Sequence, residues 1–246
     1  MKLQRSSLLL AIAILLGPAT AYAGPPYVTD DPEPVEYRHW EFYVATQHSV
    51  TSDGASGTAP QMEVNYGALP ELQLHIIAPL AYDRPASGPT HYGLGDFELG
   101  VKYRFVEEGK RRPMVGIFPQ LELPTGSAPE GLGTGRLHAF IPLWLQKSFG
   151  PWTTYGGAGY GVNPGAGNRD YGFAGWQIQR RLSDLATLGT EVFYTSPDRI
   201  GGRDNLGSNV GLVLDFTEHH HLLFSAGRSV VGETVFQGYL AYQLTR

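Results

Sequence analysis

The chain has 246 residues, with 18 Lys and Arg against 23 Asp and Glu, 32 glycines, 14 tyrosines and no cysteine. An acidic balance without a basic stripe argues against nucleic acid as a partner. The missing cysteine excludes a disulfide scaffold, a thiolate metal site and a cysteine nucleophile.

Residues 1–23, MKLQRSSLLLAIAILLGPATAYA, carry Lys2 and Arg5, an apolar run from Leu8 to Leu16 and a small-x-small site at Ala21–Tyr22–Ala23. This pattern predicts a cleavable secretory signal, because the apolar run falls short of the ~20 residues a spanning helix needs. Its removal takes away two basic residues and leaves the remainder more acidic. Residues 24–36, GPPYVTDDPEPVE, are rich in proline and too stiff for a strand. They either lie in the periplasm or fold back as a plug.

From residue 37 to 246 the pattern is that of strands. Twelve segments have strand character, at roughly 37–48, 60–68, 71–80, 94–105, 113–123, 136–147, 152–162, 171–181, 185–195, 207–216, 220–228 and 235–244. In GLGDFELGVKYRF, residues 93–105, one parity holds Phe97, Leu99, Val101, Tyr103 and Phe105 and the other Asp96, Glu98, Lys102 and Arg104. Period-two alternation places these sets on opposite faces. Parity alone suits a soluble sandwich as well as a membrane barrel, and the connections decide. Those after even-numbered segments are mostly tight, such as LP, FGP, LSD and TEH. Those after odd-numbered segments, such as SVTSDGASGTA, PTGSAPEGLGTG and SPDRIGGRDNL, are long and rich in Gly, Pro and Asp. An even strand number with short turns at one rim and long loops at the other predicts an all-β, antiparallel, up-and-down transmembrane barrel of about twelve strands in the bacterial outer membrane.

Two aromatic belts are expected at the membrane interfaces: Tyr37, Phe105, Phe149, Trp152, Phe216 and Tyr242 near the tight turns, and Tyr82, Tyr92, Tyr171, Phe173 and Tyr194 near the loops. Parity then puts Glu41, Glu63, Gln73, His75, Asp96, Glu98, Lys102, Arg104, Gln120, Glu122, Gln177, Arg181, Glu191 and Asp215 inside a backbone cylinder of radius about 12 Å. In so narrow a lumen these groups are expected to pair or to hold water.

Catalytic and cofactor signals are weak. YGGAGYGVNPG lacks the order of a phosphate loop, and its Gly157, Gly159 and Gly161 share one face, as a flat wall or room for a bulky neighbour requires. Adjacent histidines in EHHH, residues 218–221, diverge in a turn, so no metal site is expected. Ser225 stands outside any GxSxG elbow. No enzyme activity and no cofactor are expected. A lipid-modifying barrel enzyme and a soluble periplasmic binding protein are the alternatives to a passive channel.

Val28–Thr29–Asp30–Asp31–Pro32, Trp40–Glu41, GLGDFELGVKYRF and LELPTG at 121–126 together resemble the outer-membrane barrels of the meta-pathway phenol-degradation family, a group also called simply transporters. The resemblance implies a channel for small aromatic or hydrophobic solutes, with outer-membrane lipid and the barrel assembly machinery as partners and no catalytic residues. The chain departs from many outer-membrane barrels in ending AYQLTR rather than in an aromatic residue.

Overall fold

The computed structural model describes residues 25–246; the signal segment read from residues 1–23 lies outside them. Fourteen strands in chain order are β1 (Trp40–Thr51), β2 (Gly54–Leu69), β3 (Leu72–Pro85), β4 (His91–Leu94), β5 (Phe97–Val106), β6 (Met114–Ile117), β7 (Gln120–Leu123), β8 (His138–Phe149), β9 (Trp152–Val162), β10 (Tyr171–Arg181), β11 (Ala186–Thr195), β12 (Asn205–Asp215), β13 (His220–Val231) and β14 (Phe236–Thr245). They make twelve staves, because β4 with β5 and β6 with β7 are each one interrupted stave. Each stave runs antiparallel to its neighbours, and β1 pairs with both β2 and β14, so the sheet closes into a barrel without a free edge.

The interruptions have local causes. Pro119 has no N–H for a ladder, and its carbonyl accepts from Val101 instead (3.1 Å) while Phe118 turns into the barrel. At Gly95–Asp96 the wall gives way where the Asp96 carboxylate turns to the loop between β7 and β8.

The alternation of the sequence is the alternation of the wall. Leu99, Val101, Tyr103 and Phe105 are exposed on the outside, and Gly100 and Lys102 are buried inside. Leu137, Ile141 and Leu143 are likewise exposed, against buried Trp144 and Gln146. The outer surface is therefore apolar over several staves and the lumen carries the polar atoms, the reverse of a soluble barrel.

Three expectations need correction. The connection SVTSDGASGTA is not a loop: β1 and β2 continue through it and turn at Ser52–Asp53 alone. Gly57 permits this, since a Cβ there would meet the Gln47 carbonyl oxygen at 1.9 Å, and Pro60 sits in a register shift that needs no donor. Phe173 and Tyr171 do not belong to an outer belt. Phe173 is buried with Phe118, Trp144 and Phe193 inside the barrel, and Tyr171 stacks on His138 and Phe140. The first strand starts at Trp40, because residues 37–39 turn, with Arg38 at φ 68°, from the lumen to the wall.

Candidate functional site

Residues 25–36 run through the lumen. Pro26 accepts from the Ser225 hydroxyl (2.6 Å), and the backbone N–H groups of Val28 and Thr29 donate to the two oxygens of Glu191 (both 2.8 Å). Asp30 meets the Lys102 ammonium at 3.0 Å and Asp31 meets it at 3.5 Å. Glu33 accepts from the Gln146 amide (3.0 Å), and the Val35 N–H donates to Gln73 (2.9 Å). The segment thus touches wall strands from β3 to β13, and Thr29 and Asp31 are fully buried. Burial raises the Glu33 carboxyl, while the Gln146 amide, Arg104 and Lys102 pull it back.

Wall glycines shape the bed on which the segment lies. A Cβ at Gly175 would come to 2.3 Å from the Thr29 hydroxyl, one at Gly189 to 2.4 Å from the Tyr27 hydroxyl and one at Gly211 to 2.6 Å from the Tyr27 ring. Gly189 and Gly211 face each other across β11 and β12, so the Tyr27 ring lies on a patch of bare backbone. The glycines of β9 work in the same way for rings of the wall. A Cβ at Gly157 would come to 2.8 Å from Trp144, one at Gly159 to 2.5 Å from Phe140 and one at Gly161 to 2.2 Å from Tyr171. The room-for-a-neighbour reading of these glycines holds.

The residues assigned to the lumen by parity sort into four groups. Glu63, His75 and Glu98 form one network across β2, β3 and β5. His75 contacts Asn65 at 2.6 Å and Glu98 at 3.1 Å, Asn65 donates to Glu63 (2.9 Å), and Gln120 donates to Glu98 (2.9 Å). Lys102 and Glu191 hold the inner segment. Asp96 accepts from the N–H of Gly126 (2.8 Å) and from the hydroxyl of Thr134 (2.9 Å), fastening the β7–β8 loop inside the mouth. The remainder pair locally: Glu41 with the Tyr43 hydroxyl (3.0 Å), Glu122 with His138 (3.5 Å), Asp215 with His221 (2.7 Å) and Arg104 with Glu71 of the β2–β3 turn. Arg181 is the least enclosed, lying at the turn rim beside Asp184 at 3.1 Å.

A cavity of about 1200 Å³ remains beside the segment. Its lining reaches from Gly150, Thr217 and Arg246 at the turn end to His48 and Ser56 toward the loop end, and includes Glu41, Glu63, His75, Glu98, Lys102 and Asp215. A second cavity of about 510 Å³ opens at the loop end above Val28, between Glu122, His138, Phe140, Tyr171 and Asp198. Asp96, Arg104 and Glu191 line neither, since loop, turn and inner segment cover them.

Several site residues escape strand-by-strand reading. The inner segment has no period, and its partners lie up to 199 positions away. The lumenal rings Phe140, Trp144 and Phe193 share parity with polar inward residues, which is the signal that marks them. Ser225 is spent on Pro26 and has no nucleophile's setting. His220 stacks outward on Tyr242 and His221 points inward to Asp215, so the EHHH histidines do diverge.

No family model matches the chain, and no curated protein does. Among solved structures, the COG4313 outer membrane channel from Pseudomonas putida F1 is similar at 17% identity with a TM-score of 0.72, over 88% of this chain and 98% of that one. The KdgM porin in complex with disordered oligogalacturonate has a TM-score of 0.57 at 12% identity, over 82% and 98% of the two chains. The translocator domain of the autotransporter NalP from Neisseria meningitidis has 0.53 at 10%, over 84% and 87%. At these identities the likeness is one of fold, and the fold is the closed twelve-stave antiparallel barrel of outer-membrane proteins.

Proposed function

We propose that the protein is an outer-membrane channel for small solutes whose bore is set by its own residues 25–36. The observation that carries this is the arrangement of the lumen: a closed wall, apolar outside, encloses an inner segment seated on glycines and two charged anchors, with a cavity left beside it. The outer surface sits in lipid, with Phe105, Phe149, Trp152, Phe216 and Tyr242 at one interface and Tyr92, Tyr160 and Tyr194 at the other.

Small aromatic or hydrophobic compounds are the solutes this reading favours. Phe118, Tyr43 and Tyr239 line the main cavity and Phe140, Tyr171 and Phe173 the outer one, giving flat apolar contacts along the way. The sequence resemblance points to the same class. The oligogalacturonate named with the KdgM porin does not transfer, because a polyanion would meet Glu63, Glu98 and Glu122.

Single-channel conductance in a planar bilayer tests the channel and its plug. Small discrete steps are expected from the full chain and larger ones from a chain lacking residues 24–36. Gly211→Leu tests the same point with the segment present, since its side chain takes the place of the Tyr27 ring and conductance rises. Silence in all three overturns the proposal.

A further inference from the structure

We infer that the lumen selects for cations, so that small monovalent cations, inorganic or organic, pass in preference to anions of similar size. This rests on the channel reading and names its substrate class by charge. The argument comes from what each inward carboxylate has as its partner.

Around the main cavity the described lining includes nine Asp or Glu residues and three Lys or Arg residues. Two of the three cations are already paired with carboxylates. Lys102 lies between Asp30 and Asp31, at 3.0 and 3.5 Å, so that one ammonium faces two carboxylates. Arg181 is paired with Asp184 at 3.1 Å at the rim, and Arg246 lies beyond β14 at the turn end.

Of the remaining carboxylates, Asp215 faces His221 at 2.7 Å and Glu36 faces His39 at 3.9 Å, while four others accept hydrogen bonds from neutral donors that leave their charge in place. Glu41 accepts from a tyrosine hydroxyl and Glu33 from the Gln146 amide. Glu63 accepts from Asn65, and Glu98 from Gln120, with His75 between the two acids. Even a protonated His75 would bring one positive charge to two negative ones. Neutral donors stabilise an anion without cancelling its field, and a narrow bore with low-dielectric walls focuses that field along the axis.

The outer cavity repeats the pattern. Its described lining holds Glu122 and Asp198 with His138 and neither Lys nor Arg, the one such partner among the described residues being Arg199, at 4.0 Å from Asp198 and outside that lining. An approaching anion therefore meets negative potential at the mouth and again at mid-wall, whereas a cation meets it as attraction at both depths. The rings of Phe140 and Tyr171 add a favourable face for an organic cation at the mouth.

The test is the zero-current potential of the refolded full chain in a planar bilayer under a KCl gradient. A permeability ratio of about fivefold or more for K⁺ over Cl⁻ is expected. A ratio at or below one overturns the inference while leaving the channel intact. The paired substitution Glu122→Gln with Asp198→Asn, at half-open positions, should lower the ratio about twofold. An unchanged ratio removes the mouth from the selectivity mechanism and overturns that part of the inference. A full chain that carries no current has no selectivity to express and also overturns it, and the shortened chain then decides the channel reading by itself.

Discussion

Two irregular stretches of chain lie inside this barrel, and each is fastened to a wall carboxylate by backbone N–H groups. Residues 25–36 reach Glu191 through Val28 and Thr29, and the loop between β7 and β8 reaches Asp96 through Gly126 and Thr134. The difference lies in what else holds them. The loop is tied at both ends to strands of one sheet, so Asp96 fixes its shape more than its presence in the mouth. Among the described residues the inner segment continues into a strand at one end, at Trp40, so its place in the lumen depends on side-chain anchors such as Glu191 and Lys102 and on the fit of Tyr27 over glycine. The same carboxylate chemistry is a fastener for one and a condition of residence for the other.

Substitutions at the anchors should separate these roles. Lys102→Met leaves Asp30 and fully buried Asp31 without a counter-charge, and removing one partner of a buried pair costs about 3–5 kcal/mol. Residues 25–36 should then leave the lumen, seen as rapid cleavage within them by a broad-specificity protease while the barrel stays intact. An inner segment that remains protected would show that Glu191 and the glycine bed hold it without Lys102. Glu191→Ala strips two N–H groups of a charged acceptor, at about 1.5–3 kcal/mol for each bond, and should release the segment to a lesser degree. Asp96→Ala removes bonds of the same kind, yet it should raise hydrogen exchange only in residues 124–137, by about 1–2 kcal/mol of local opening, without exposing 25–36. Equal protease sensitivity in the last two variants would erase the distinction between fastener and residence.

The smallest effect should come from pH. Burial raises the Glu33 carboxyl in the seated segment, so the seated form binds more protons than the released one. Seating is therefore favoured as pH falls and weakened as pH rises. Protease protection of residues 25–36 should increase modestly from about pH 8 to about pH 5, and a decrease would show that Lys102 pairing, which needs ionised partners, dominates.

Much of the wall is legible in sequence because period two is a strict rule of strand geometry. Leu99 and Lys102 separate by parity alone, and no tertiary knowledge is needed to place them. The rings were harder. Phe173 and Tyr194 are both aromatic and both near the loops, yet one fills the lumen and the other faces out, since an interior packed with rings and an interfacial belt draw on the same residue types. The 49–59 stretch reads as a loop because Gly, Ser and Thr suit turns, whereas in the fold Gly57 serves a close backbone approach within a ladder. The inner segment lay furthest from reach. Its proline-rich sequence excludes a strand, but the anchors that seat it are distributed over the whole chain.

The glycine bed also binds the histories of distant positions together. Tyr27 and Gly211 share one volume, so neither can change size alone. A relative bearing a side chain at 211 should carry a smaller residue at 27, and Tyr27→Ala should restore to Gly211→Leu what the single substitution loses. Read across many such sequences, the pairing of a bare wall position with a large ring would mark out barrels that keep their own leading segment indoors.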